Sequence, residues 1–172
     1  DDLEKMLQDR QGDWGRYLDI DGDGIPYRTV VGNTHPRSAY FTRGTGHDEY
    51  GKYSEEADVW EKGMDRLKLK FETAKAFLPK PEINICENAK FGIISMGSAD
   101  PAVKEAIYQL KSAGYFIDYL RVKAIPFDDE VNQFIKRNEH NYVVEANRDG
   151  QLLQLLTIAY PDMATRLRKA AH

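Results

Sequence analysis

Phe91-Gly92-Ile93-Ile94-Ser95-Met96-Gly97-Ser98-Ala99-Asp100-Pro101 is the stretch that decides the fold. Its short apolar opening reads as a strand buried on both faces. Gly97-Ser98-Ala99 turns the chain, Asp100 stands where a helix cap is expected, and Pro101 suits the first helical position. Val103, Ala106, Ile107 and Leu110 then share one helical face, and Gly114 ends the run. The same alternation continues toward the C-terminus. A strand is expected near 116–122, then a helix opened by Asp128 and Asp129 with Val131, Phe134 and Ile135 turned inward. A third strand follows at 142–146, then a helix over 151–160 that buries Leu152, Leu155, Leu156 and Ala159. Residues 161–171 read as a terminal helix with a basic end. Strands alternating with helices through short connections build a mainly parallel sheet. Residues 89–172 are therefore expected to form a three-layer α/β/α domain.

Upstream, Trp60, Met64, Leu67, Phe71, Ala74 and Leu78 recur at spacings of four and three. That period predicts one amphipathic helix over 54–78, with Ser54 as its cap and Glu55, Glu56 and Asp58 at its positive end. Pro79 and Pro81 end it, and residues 79–88 read as a linker. Residues 54–88 thus form a linking helix and linker. Residues 1–53 differ in kind: eight of the thirteen glycines fall between 11 and 51. They are expected to be irregular and to pack on something outside themselves, because a loop of that length is uncommon inside a compact domain.

The chain has 172 residues, 41% of them hydrophobic and 30% charged, with a net charge of −4. This composition can bury a core and lacks the basic surface of a nucleic-acid-binding module. No apolar run reaches the ~18 residues of a membrane span, and the opening Asp1-Asp2-Leu3-Glu4 is not a signal peptide. One cysteine, Cys86, excludes an internal disulfide and any site built on several thiolates. The expectation is a cytoplasmic protein with no nucleic-acid or membrane partner. The absence of an initial Met leads to the further expectation of a fragment.

Several strings invite chemistry. Asp19-Ile20-Asp21-Gly22-Asp23-Gly24 matches the first half of a calcium loop, but Val30 stands where the bidentate Glu belongs and Pro26 interrupts it. Tight turns use the same residues, and that reading prevails, so no metal is assigned. Gly44-Thr45-Gly46-His47-Asp48-Glu49 has neither dinucleotide-loop nor phosphate-loop spacing. Gly97-Ser98 before a helix is a generic anion turn. Glu145-Ala146-Asn147-Arg148-Asp149-Gly150-Gln151 lies at the C-terminal end of a strand, the edge where parallel sheets bind ligands. Glu145 and Asn147 suit helix capping equally well, and both readings stand. Cys86, His35, His140 and His172 carry no partner pattern.

Several strings together resemble the α subunit of 2-oxoacid:ferredoxin oxidoreductases. Asp23-Gly24-Ile25-Pro26-Tyr27-Arg28-Thr29-Val30-Val31-Gly32 and Tyr40-Phe41-Thr42-Arg43-Gly44-Thr45-Gly46-His47-Asp48-Glu49-Tyr50-Gly51 resemble two motifs of that family. Met64-Asp65-Arg66-Leu67 and Lys70-Phe71-Glu72-Thr73-Ala74-Lys75 resemble the helix that follows them. Phe91-Gly92-Ile93-Ile94-Ser95-Met96-Gly97-Ser98 and the Glu145-to-Gln151 turn resemble its transketolase-C-terminal-like domain. The likeness is collinear over almost the whole chain and is closest to the 2-oxoglutarate type.

The resemblance implies a parent enzyme that uses thiamine diphosphate, magnesium, an iron–sulfur cluster and coenzyme A, with a beta subunit and ferredoxin as partners. It also implies that the family's Tyr-Pro-Ile-Thr-Pro and Gly-Pro-Ser-Thr-Gly segments lie outside this chain. No catalytic residue and no bound cofactor therefore carries over. Arg43, His47, Asp48, Glu49, Glu145, Asn147 and Gln151 are carried over as candidates for a domain or subunit interface. The alternatives are a self-standing α/β module that binds a protein or small anion at residues 145–151, and a calcium-binding domain.

Overall fold

The computed structural model describes Glu4, Leu7, and residues 14–40 and 44–171. The chain divides into two compact units, Asp1–Ala76 and Phe77–His172.

In the first unit, irregular chain precedes helix α1, Ala57–Ala74, which tightens into a 3₁₀ turn at Lys75–Phe77. The helix starts later than expected. Glu56 occupies the cap position without a side-chain bond, while the Ser54 hydroxyl accepts the Glu56 N–H in a turn just outside. The loop containing Asp23 and Gly24 lies on α1 through backbone contacts. Thr73 Oγ1 donates to the Asp23 carbonyl at 2.6 Å, and Arg66 Nη1 donates to the Gly24 carbonyl at 3.1 Å. A Cβ added at Gly24 would sit 2.4 Å from the Lys70 nitrogen, and φ there is +80°. Only glycine meets both conditions. Trp14 is buried beside Leu7 and meets Tyr40 edge-on. The apolar stripe of α1 is uncovered in this chain: Trp60 is 62% and Phe71 56% exposed, and no residue of the helix is buried.

The second unit is a five-stranded sheet in the order β1-β3-β2-β4-β5. Its strands are β1 Glu82–Asn84, β2 Phe91–Met96, β3 Ile117–Val122, β4 His140–Glu145 and β5 Leu167–Ala171. Only β1 is antiparallel, and Ile94 pairs in register with Leu120 on one side and Val143 on the other. Helix α2, Asp100–Ser112, joins β2 to β3, and α3, Asp129–Arg137, joins β3 to β4. Helix α4, Gln151–Ala159, follows β4. The core gathers Ile94, Leu120 and Val143 with Ile135 of α3 and Leu156 of α4, all fully buried. Tyr119 and Ser95 lie one residue from that register and so face the opposite way, where α2 brings Val103 and Asp100. The mixed, mostly parallel α/β sheet agrees with the expected fold class.

Two elements differ. The expected terminal helix is a 3₁₀ segment, Pro161–Arg166, followed by strand β5. Leu-Arg-Lys-Ala-Ala favours helix by propensity, but the open edge of β4 supplies a ladder and buries Leu167. Glu82–Asn84, read as linker, is an edge strand paired with β3. Asp100 is also not a cap: it is the first residue of α2, and its carboxylate accepts from Tyr119.

Candidate functional site

In the first unit, the candidate residues line a cleft between residues 47–49 and α1. The Tyr17 N–H donates to the Glu49 carbonyl at 2.9 Å, which pins the two irregular segments together. The Tyr17 and His47 rings stack with centroids 3.9 Å apart. His47 Nδ1 lies 2.9 Å from the Asp48 carbonyl oxygen. A carbonyl only accepts, so Nδ1 carries the proton and Nε2 is the open nitrogen. Asp48 Oδ1 accepts the N–H groups of Tyr50 and Lys52, each at 2.9 Å, so this carboxylate shapes its own turn. The cleft has a volume of about 150 Å³, and Tyr17, Asp19, His47, Lys62, Gly63 and Arg66 contribute to its wall. A neighbouring recess of about 280 Å³ is lined by Thr45, Trp60, Met64 and Leu67. Burial lowers the proton affinity of the Arg66 guanidinium; the Asp19 charge opposes this and the Arg16 charge adds to it. Arg43 lies outside the described residues.

The acidic loop beside this cleft brings Asp19, Asp21 and Asp23 within 4.8 Å of one another. Backbone donors occupy much of it. Asp19 accepts from Gly22 N at 3.0 Å and Gly24 N at 2.9 Å, and Asp23 accepts from Ile25 N at 2.7 Å. The Tyr27 hydroxyl donates to Asp21 at 3.0 Å, and that bond raises the phenol's pKa. These contacts explain the turn by backbone capping alone.

In the second unit, Glu145 is buried at the end of β4, and its carboxylate accepts Leu152 N at 2.8 Å, Leu153 N at 3.2 Å and the Asn147 amide. Asn147 Oδ1 accepts Gly150 N at 2.7 Å and Gln151 N at 3.2 Å. Together they close the N-terminus of α4, where backbone donors and the helix dipole favour a carboxylate. Gly150 permits the entry with φ of 71°. Gln151 opens α4 with an exposed side chain. The Gly97-Ser98-Ala99 turn is a 3₁₀ segment rather than the open end of a helix.

One polar group had no sequence signal beyond an i,i+4 pair. Tyr119 donates to Asp100 Oδ1 at 2.7 Å and lies 2.7 Å from Ser95 Oγ. Lys104 bridges Asp100 and Glu82 at 3.1 and 3.0 Å, and Arg121 approaches Asp100 at 3.4 Å. Burial is the largest influence on Tyr119, whose pKa is pushed up to about 12. Asp100 is held below its ordinary value, first by the Tyr119 hydroxyl and then by Lys104 and Arg121. The group ties β1, β2, β3 and α2 together.

No family model matches the chain. The alpha subunit of 2-oxoacid:ferredoxin oxidoreductase 2 from Aeropyrum pernix is 28% identical over 157 residues, which is 88% of this chain and 24% of that protein. A solved structure, the 2-oxoglutarate:ferredoxin oxidoreductase from Magnetococcus marinus with 2-oxoglutarate, coenzyme A and succinyl-CoA bound, matches with a TM-score of 0.76 at 23% identity. It covers 95% of this chain and 28% of that one. The chain therefore spans about a quarter of the length of these two relatives.

Proposed function

We propose that this chain is a structural and interface part of the α subunit of a thiamine diphosphate-dependent 2-oxoacid:ferredoxin oxidoreductase. The parent reaction is a CoA-acylating oxidative decarboxylation, with 2-oxoglutarate as the proposed substrate. The observation that carries this is the similarity to the Aeropyrum pernix subunit over 88% of the chain. In this reading residues 1–53 pack on a pyrimidine-binding domain, 54–88 link, and 89–172 form the transketolase-C-terminal-like domain. Arg43, His47, Asp48, Glu49, Glu145, Asn147 and Gln151 face neighbouring domains or the beta subunit, and ferredoxin docks on the parent complex.

The single cysteine and the Asp19-to-Ile25 loop do not fit two of the groups that the parent would use. An iron–sulfur cluster needs several thiolates, and the chain has one cysteine. A diphosphate needs free backbone donors, and the amides of Gly22, Gly24 and Ile25 are spent on the carboxylates of their own loop. No catalytic step is therefore assigned to this chain. Calorimetric titration with thiamine diphosphate and Mg²⁺ is expected to give no saturable heat, and micromolar binding would overturn the reading.

The alternative, a self-standing module that binds through residues 145–151, has less support. The Glu145 and Asn147 acceptors are already committed to the end of α4.

A further inference from the structure

Trp60, Met64 and Phe71 stand exposed in one row on α1, and Leu67 between them is half-buried. The first unit holds the helix from another side. The Asp23–Gly24 loop meets α1 at Arg66, Lys70 and Thr73, roughly a quarter turn from the stripe at ~3.6 residues per turn. The turn at residues 44–47 borders one flank of the stripe, where it forms the recess described above. The opposite flank carries Glu61 and Lys68, both exposed. A contiguous apolar row rimmed by charge is the mark of an interaction surface.

The spacing of the row says what covers it. Steps of four and three from Trp60 to Phe71 make the seam of a two-helix pair. Laid antiparallel on a second copy, that seam matches itself. Trp60 meets Phe71 of the second copy, Met64 meets Leu67, and the small Ala57 meets the small Ala74. The flanking charges select the same direction. Neither Glu61 nor Lys68 makes an ion pair among the described residues. Antiparallel packing sets Glu61 of each copy opposite Lys68 of the other, and the two-fold axis repeats the exchange. Parallel packing would instead set Glu56 beside Glu61 and Lys70 beside Lys75, which places like charges together at both ends. The face therefore complements itself in one orientation and repels itself in the other.

We propose that α1 is a self-association surface on which a second copy of this chain docks antiparallel, with Trp60 against Phe71 and Glu61 against Lys68. The inference rests on α1 alone and does not depend on the enzyme assignment above. One helix face offers less than the roughly 1,200 Å² of a standard interface, so the pair is expected to be weak and reversible. The experiment is sedimentation velocity of the 172-residue chain at low salt, from about 10 μM to about 1 mM. The expected result is a monomer that converts to a dimer as concentration rises. Glu61→Lys and Lys68→Glu each put like charges across the pair and should weaken it about tenfold or more. Both side chains are exposed, so the melting temperature of the dilute variants should stay unchanged. An equimolar mixture of the two variants should associate again, because each then meets the opposite charge. A chain that stays monomeric at every concentration overturns the proposal and assigns the stripe to a different polypeptide or domain. So does a dimer that both substitutions leave unchanged, and so does a mixture that remains monomeric.

Discussion

Tyr119 donates its hydroxyl hydrogen to Asp100 across 2.7 Å in the interior of the second unit, with Ser95 on the far side of the same oxygen. The phenol is 2% exposed and its pKa is pushed up to about 12, as is that of Tyr160, where burial again leads. A group whose folded pKa is raised holds its proton longer folded than unfolded. The stability it contributes is complete below the unfolded value of about 10 and is lost as pH rises through 12. Tyrosinate absorbance from Tyr119 and Tyr160 should therefore appear only together with unfolding. Tyr119→Phe should remove one late titration and cost about 1–3 kcal/mol, because Ser95 loses a buried partner. Ionisation of Tyr119 and Tyr160 in the folded protein below pH 11 (roughly one unit above the ordinary phenol value) would contradict the buried network.

Gly24 and Gly22 separate two reasons for glycine in one loop. Both have positive φ, but a Cβ at Gly22 meets nothing within 4 Å, while at Gly24 it strikes the backbone of Lys70 and Arg66. Gly22→Ala should cost roughly 1–2 kcal/mol, the strain of the left-handed conformation alone. Gly24→Ala should cost clearly more and lift the loop from α1, exposing the Thr73 and Arg66 bonds. Amide exchange in 66–73 reads the difference, and equal effects of the two substitutions would refute the close contact.

Phe71 tests the exposed stripe. A buried ring would cost about 3–5 kcal/mol on truncation to alanine. With 56% of the residue exposed, Phe71→Ala should cost less than about 1 kcal/mol in the monomer by chemical denaturation. A large loss would mean that this face is covered in solution.

The readable parts of the fold are those where one local pattern has no strong competitor. The Phe91–Met96 run, the Val131-Phe134-Ile135 face and the Asp128 cap all appear as their spacing requires. Strand β5 was hidden because Leu167–Ala171 is a good helix former, and only the vacant edge of β4 makes it a strand. Strand β1 was hidden because three residues between Pro81 and Ile85 are too short to show a period. At the sites, Glu145 and Asn147 were legible as acceptors before a helix. The Tyr119–Asp100 bond joins residues 19 apart in sequence, and no periodicity points to it. The cleft at His47 likewise joins a turn to Lys62 and Arg66 of α1, and no local spacing points to that pairing.

The central claim, that this chain is part of a larger oxidoreductase subunit, is tested most directly by sequencing the gene upstream of the Asp1 codon. The account predicts an in-phase open frame that encodes a Tyr-Pro-Ile-Thr-Pro-like loop and a Gly-Pro-Ser-Thr-Gly-like segment. An in-phase stop codon followed by a start codon immediately ahead of Asp1 would contradict it.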